Sequence, residues 1–157
     1  MDKDKEKQLT LKEENPVIPE HVITDKREIN AVMYLFLNRD LHMSTGKAAA
    51  QVAHAAVQAY KLSKPELIQA WENGLHYTKL VMLARDFEHL SLIQSYLDRR
   101  GFKTELIIDE GMTEVDAHVA TALGVEIVDK NDPHVKATFE TFSLYRDLVR
   151  INMEFDR

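Results

Sequence analysis

Apolar and polar positions organise this chain from Ile29 onward. "INAVMYLFLN" is a nearly continuous apolar run of strand length, the pattern of a strand buried on both faces of a sheet. After the loop "RDLHMSTG" the spacing turns helical and predicts a helix from about Lys47 to Leu62. Pro65 opens a second, short helix, "PELIQAWEN", which Gly74 can end in the left-handed conformation that other residues resist. Trp71 is expected to anchor that helix to the domain. "TKLVMLA" reads as the second strand. Asp86 stands where an N-cap belongs, before a helix in which Leu90, Ile93 and Leu97 recur at helical spacing and Gly101 is the stop. "TELIID" is the third strand, and "VATALGVEIV", after the loop "EGMTEVDAH", the fourth. Asp132-Pro133 then caps and starts a last helix, with Val135, Phe139, Phe142 and Val149 along one face.

The order is strand, two helices, strand, helix, two strands, helix. Crossover helices between strands predict an α/β single domain with a four-stranded sheet flanked by helices on both faces. The short link between the last two strands allows either direction, so the sheet is expected to be mixed. Residues 1–28 are polar, mixed in charge and interrupted by Pro16 and Pro19, and are expected to form a flexible arm. Residues 29–157 are the folded domain, with an extended C-terminal helix.

Composition narrows the chemistry. At 157 residues one domain can bury a proper core without a disulfide or structural metal. There is no cysteine, which excludes thiolate metal sites and a cysteine nucleophile and suits a reducing cytoplasm. No apolar run approaches the ~20 residues of a membrane span, and the charged N-terminus does not read as a secretory signal. A net charge of −6 argues against general affinity for nucleic acid, so an anionic ligand must be met by a few placed cations and backbone donors.

Strand, loop, Gly-Lys and helix is the context of a nucleotide-binding P-loop. That pattern also needs an earlier Gly, where this chain has Leu41, and a Ser or Thr after the Lys, where it has Ala48. The P-loop is excluded, but its physics remains. A helix N-terminus has unpaired amides and partial positive charge; Lys47 adds a full charge, and Gly46 lets a ligand approach the backbone closely. Lys47 is thus either an anion ligand or a solvated lysine of the first turn. Lys47, Gln51, His54 and Gln58 share one face of an alanine-rich helix. That stripe either faces water or lines a cleft, and His54 taken singly reads as a satisfied, half-buried histidine.

The end of the third strand, "LIIDEGMTEV", is the second place for chemistry, since ligands gather at the carboxyl ends of strands in open α/β sheets. Asp109 and Thr113 around Gly111 would suit the orienting of a water; the same residues would also make an ordinary turn. The seven histidines are scattered and make no metal-ligand pattern. Ser44 lacks a nucleophile elbow, and Tyr34 and Phe36 are core residues rather than an RNA-stacking motif.

Together, "GKAAAQVAHAAVQAY" after the first strand and "DEGMTEVDAHVATALG" after the third resemble the archaeal and eukaryotic-type peptidyl-tRNA hydrolase family (type 2), from about Ile29 to Asp129. The resemblance implies a four-stranded mixed sheet with helices on both faces, in a domain that is often a homodimer. It implies hydrolysis, without metal or cofactor, of the ester joining a peptide to the 3′ ribose of tRNA, with tRNA carrying a peptidyl group as partner. Carried over by motif, Lys47 and Asp109 are the central catalytic pair, Thr113 and Thr121 supporting hydroxyls, and Gly46, Gln51, His54 and Gly111 substrate-binding positions. Where the family's Asp-Ala-Gly loop usually continues with a basic residue, Thr and Gln, this chain keeps Thr113 but has Glu110, Met112 and Glu114 in place of the Ala, the basic residue and the Gln. A competing expectation from another class is a non-catalytic binding module on the same fold, acting through a protein partner.

Overall fold

The computed structural model describes residues 28–74, 76–110 and 118–146. The chain enters as strand β1 (Ala31–Asn38) and makes a 3₁₀ turn (Arg39–Leu41). Helices α1 (Thr45–Leu62) and α2 (Pro65–Asn73) follow, then strand β2 (Lys79–Ala84) and helix α3 (Phe87–Arg99). Strands β3 (Thr104–Asp109), β4 (Val119–Val125) and β5 (Val128–Asp129) lead into helix α4 (Pro133–Phe139). No helix among the described residues is long and apolar enough to cross a membrane.

The sheet order is β2-β1-β4-β3, with β1 and β2 parallel and β4 antiparallel to both its neighbours. The expected mixed sheet is therefore present, with one addition. The run expected as a single fourth strand breaks after Val125, and the two-residue β5 continues in the same direction, antiparallel to β1, to pair with the start of that strand.

The continuous apolar run of β1 is explained by two cores. Val32, Tyr34 and Phe36 point to the side packed by α3 and α4, where Leu90, Ile93, Leu97, Val135 and Phe139 are buried. Met33, Leu35 and Leu37 point to the side packed by α1 and α2, against Ala55, Ala59 and Trp71. Strand alternation divides one run between two apolar layers, and full burial of a side chain such as Phe36 contributes roughly 1.5–3 kcal/mol. The Tyr34 and Phe139 rings stack at 4.2 Å.

The caps follow the sequence. Asp86 accepts from the His89 amide at 2.7 Å, Asp132 from the His134 amide at 2.8 Å, and Gly101 takes φ +89° after α3. Trp71 donates its indole N–H to the Thr78 carbonyl at 3.0 Å and ties α2 to the start of β2. Gly74 departs from expectation: α2 ends there at φ −67° and ψ 143°, extended backbone open to any residue.

The last helix is also shorter than expected. It ends at Phe139, and Phe142 packs against the same core from beyond the helix. The cause lies at the sheet edge. Leu83 donates its amide to the Ser143 carbonyl at 2.8 Å and Tyr145 donates to Val81 at 2.9 Å, so these residues pair with the open side of β2. Val149 and most of the proposed arm, residues 1–27, lie outside the described residues.

Candidate active site

Helix α1 begins two residues before the expected Lys47, because Ser44 is its N-cap and its hydroxyl accepts from the Lys47 amide at 3.3 Å. Lys47 thereby becomes the third helical residue. Its side chain lies beside the sheet in the first turn, where the helix end carries partial positive charge. The helix then lies very close to β4. A Cβ built on Gly124 would stand 2.4 Å from the Ala55 carbonyl oxygen, so only glycine allows this approach.

Close approach brings four predicted residues into one connected set. The Lys47 ammonium forms an ion pair with Asp109 Oδ2, and the Gln51 amide donates to the same oxygen at 3.3 Å. The Thr121 hydroxyl donates to Gln51 Oε1 and lies 3.4 Å from the Ile107 carbonyl. Asp109, Gln51 and Thr121 are 5%, 4% and 0% exposed, while the Lys47 side chain keeps 12% exposure. Lys47 is thus the most exposed of the four, with its ammonium on Asp109 and the remaining groups lying deeper. A buried carboxylate needs a charge partner and hydrogen bonds, and this one has both.

Thr121 reaches Gln51 because of a break in the β3–β4 register. Ile107 is opposite Ala122 and Ile108 opposite Ala120, which leaves Thr121 as the unpaired extra residue of a β-bulge. Regular alternation would have turned Thr121 to the same side as Leu123 and Val125, in the α3–α4 core. The bulge turns it toward α1 instead. At the strand end, the His118 amide donates to the Asp109 carbonyl at 2.6 Å and joins the start of β4 to the end of β3.

In front of the set is a cleft of about 410 Å³ between α1 and β3. Lys47, Gln51, His54 and Gln58 line one wall, so the polar stripe faces a cleft rather than open water. Glu105, Ile107, Asp109 and Glu110 line the other. His54 is exposed in the wall, not half-buried. Gly46 lies in the first turn of α1, where a Cβ would meet nothing within 4 Å. Gly111 and Thr113 lie outside the described residues.

Sequence reasoning weighed Ser44 only as a nucleophile and missed it as the N-cap; Ser three residues before Lys47 was the available signal. Glu105 on the cleft wall was also missed, and nothing in its surroundings marks it. The arrangement offers a cation at a helix N-terminus beside a fixed carboxylate, at the mouth of a polar cleft. Such a pair can hold a developing oxyanion and orient a water.

Residues 31–145 match the family model described as Peptidyl-tRNA hydrolase PTH2. The chain is 38% identical over 96 residues to the probable peptidyl-tRNA hydrolase 2 of Schizosaccharomyces pombe, covering 59% of this chain and 46% of that protein. It is 36% identical over 112 residues to the mitochondrial peptidyl-tRNA hydrolase 2 of Homo sapiens, covering 66% and 62% respectively. With the peptidyl-tRNA hydrolase of Thermococcus onnurineus it shares 36% identity over 110 residues, 65% of this chain and 92% of that one. The match thus spans 46% and 62% of the yeast and human proteins but nearly all of the archaeal one.

Proposed function

The chain belongs to the peptidyl-tRNA hydrolase PTH2 family, and from that premise we propose that it hydrolyses the ester between a peptidyl or N-blocked aminoacyl group and the 3′ ribose of tRNA. The observation that carries this reading is the Lys47–Asp109 pair, buttressed by Gln51 and Thr121, at the mouth of the α1–β3 cleft. A water held by Asp109 attacks the ester carbonyl carbon. Its oxygen bonds to the acyl group, the negative charge gathers on the former carbonyl oxygen, and Lys47 with the α1 N-terminus stabilises that oxyanion. The C–O bond to the ribose then breaks, and the ribose oxygen takes up the proton that the water gives up.

The Asp109 carboxylate is fixed by the Lys47 ammonium and the Gln51 amide, so alignment of the water carries more of this step than proton abstraction. Thr113, four residues beyond Asp109, is assigned the hydroxyl that fixes the water. Gln51 and Thr121 are positioning residues: one holds the carboxylate and the other holds Gln51. Cleft-facing His54 is assigned to the substrate, as is Gly46, whose open flank leaves the helix N-terminus accessible. Gly111 is assigned the backbone freedom of the loop that carries Thr113. A cysteine-free chain suits the reducing cytoplasm, and a homodimer, tested by sedimentation, belongs to the same reading.

The test is single-turnover cleavage of N-acetyl-aminoacyl-tRNA by wild type, Lys47→Ala and Asp109→Asn. Loss of an oxyanion or water-orienting group is expected to slow cleavage by about 10²–10³-fold in variants that keep the wild-type circular dichroism. A wild type inert at low salt removes the hydrolase reading and leaves the binding module.

A further inference from the structure

We propose that the tRNA backbone crosses the protein on the side of α1 away from the catalytic cleft, over a groove whose rim is held positive by Arg39, Arg85 and Arg146. This inference rests on the hydrolase reading and names the surface through which that substrate is held.

The groove is the larger cavity, about 1310 Å³, with Val52, Ala56, Val81 and Tyr145 among the residues lining it. Its described lining carries four formal cations, Arg39, Lys79, Arg85 and Arg146, against one carboxylate, Asp40. In a chain of net charge −6 this is a marked local excess. The catalytic cleft has the opposite balance: Lys47 is already paired with Asp109, and Glu105 and Glu110 remain on its wall. A polyanion is steered toward the first surface and repelled by the second.

Position agrees with charge. Thr45 and Ala48, in the same helical turn as Lys47, line one end of the groove. Arg39 follows β1 and Arg85 follows β2, so both stand at the carboxyl ends of the two parallel strands, where the α1 N-terminus also lies. Arg146 follows the segment that pairs with β2 at Met82 and runs antiparallel to it, toward Lys79. The six-residue length of β2 separates the two basic ends by about 20 Å, several phosphates of a nucleic-acid strand. A strand laid along this rim delivers its 3′ end to the turn that presents Lys47.

The arginines are also available. Among the described residues none of the three guanidiniums is in an ion pair. Lys79 is not free in the same sense, since its ammonium lies 2.9 Å from the Tyr77 carbonyl and 4.9 Å from the Trp71 ring. The apolar floor, lying below the rim, has no part in phosphate contact.

The experiment compares wild type with Arg85→Glu/Arg146→Glu in two assays. Fluorescence anisotropy with labelled deacylated tRNA should show at least tenfold weaker binding, and the slope of log affinity against log salt should be shallower by about 2. Cleavage of a 3′-O-(N-acetyl-aminoacyl)-adenosine, which carries the ester without the RNA backbone, should be unchanged, while kcat/KM on N-acetyl-aminoacyl-tRNA falls. Arg85→Lys/Arg146→Lys should keep most of the affinity, because phosphate contact needs charge more than shape. An unchanged tRNA affinity and salt slope overturns the proposal, as does equal loss on both esters, which reports a disturbed site. Binding of an acidic amphipathic peptide in the groove with no effect of the variants on tRNA would assign it to a protein partner and overturn the proposal too. A wild type that cleaves neither ester refutes the hydrolase reading instead, and the anisotropy arm then judges the groove alone.

Discussion

Replacing Gly124 by alanine puts a methyl group where the backbone of α1 already stands. The new Cβ would lie 2.4 Å from the Ala55 carbonyl oxygen, 3.2 Å from its carbonyl carbon and 3.4 Å from its Cα, against ordinary contact from 3.4 Å upward. All three are backbone atoms, so no side chain can swing aside, and α1 must move away from β4 by about 1 Å. Overpacking of this kind costs about 1–3 kcal/mol. At roughly 4 °C per kcal/mol for a domain of this size, Tm should fall by roughly 4–12 °C. The site should suffer with it. Gln51 stands one helical turn before Ala55 on the same buried face, and a 1 Å separation takes its 3.3 Å contact with Asp109 out of hydrogen-bond range. A misplacement of about 1 Å can cost 10²-fold in rate. Scanning calorimetry and single-turnover cleavage on Gly124→Ala measure both effects. Gly46→Ala serves as a stability control, since a Cβ there meets nothing within 4 Å and the residue is helical, so its Tm should not fall. If Gly124→Ala keeps its Tm within about 1 °C and its full rate, then α1 does not rest on β4 at this point, and the account of how the site is assembled is wrong.

Three further outcomes are expected. Thr121→Val removes the hydroxyl that holds Gln51 Oε1 and leaves a buried amide oxygen without that donor, costing about 1–3 kcal/mol; kcat should drop roughly tenfold, about 1.4 kcal/mol of barrier, with KM for tRNA unchanged, and Thr121→Ser should restore it. Asp86→Ala deletes the N-cap of α3 on the opposite face of the sheet and should cost about 1 kcal/mol with no change in kcat; a changed kcat would mean that the two faces are coupled. The third concerns His89, whose pKa is lowered by burial and then by the nearby Arg85 charge, with Asp86 opposing. Its Nδ1 accepts from the Arg85 amide at 3.0 Å, which requires the neutral ring. The unfolded chain therefore binds this proton more readily. The contribution is present above the unfolded value of about 6.5 and is lost as pH falls from there through the lowered folded pKa. Tm measured from pH 8 to pH 5 should decline more for wild type than for His89→Ala, and parallel curves would reject the assignment.

Much of this protein is legible without coordinates, for identifiable reasons. Apolar period and length marked the four principal strands. Leu90, Ile93 and Leu97 marked the buried face of α3, and Asp86 and Asp132 its caps and those of α4, because caps and periodicity are local consequences of helix geometry. The same locality made the Lys47, Gln51, His54 and Gln58 stripe readable, since residues on one helical face are set by 3.6-residue spacing alone. Asp109 was readable as a strand end that carries a carboxylate.

Tertiary structure decided what depends on residues distant in the chain. Whether the stripe met water or a cleft depended on where β3 lay, 58 residues beyond Gln51. The end of α4 at Phe139 was set by β2, whose open edge draws Ser143 and Tyr145 into pairing and so outcompetes helical continuation. Thr121 turns toward Gln51 only because a bulge between β3 and β4 inverts strand alternation at that residue, and no local pattern announces a register shift set by two strands together. Sequence by itself determined which groups could do the chemistry; the approach of α1 to β4 at Gly124 and the bulge at Thr121 determined that they meet, because contact distance is a property of packed elements and not of their spacing along the chain.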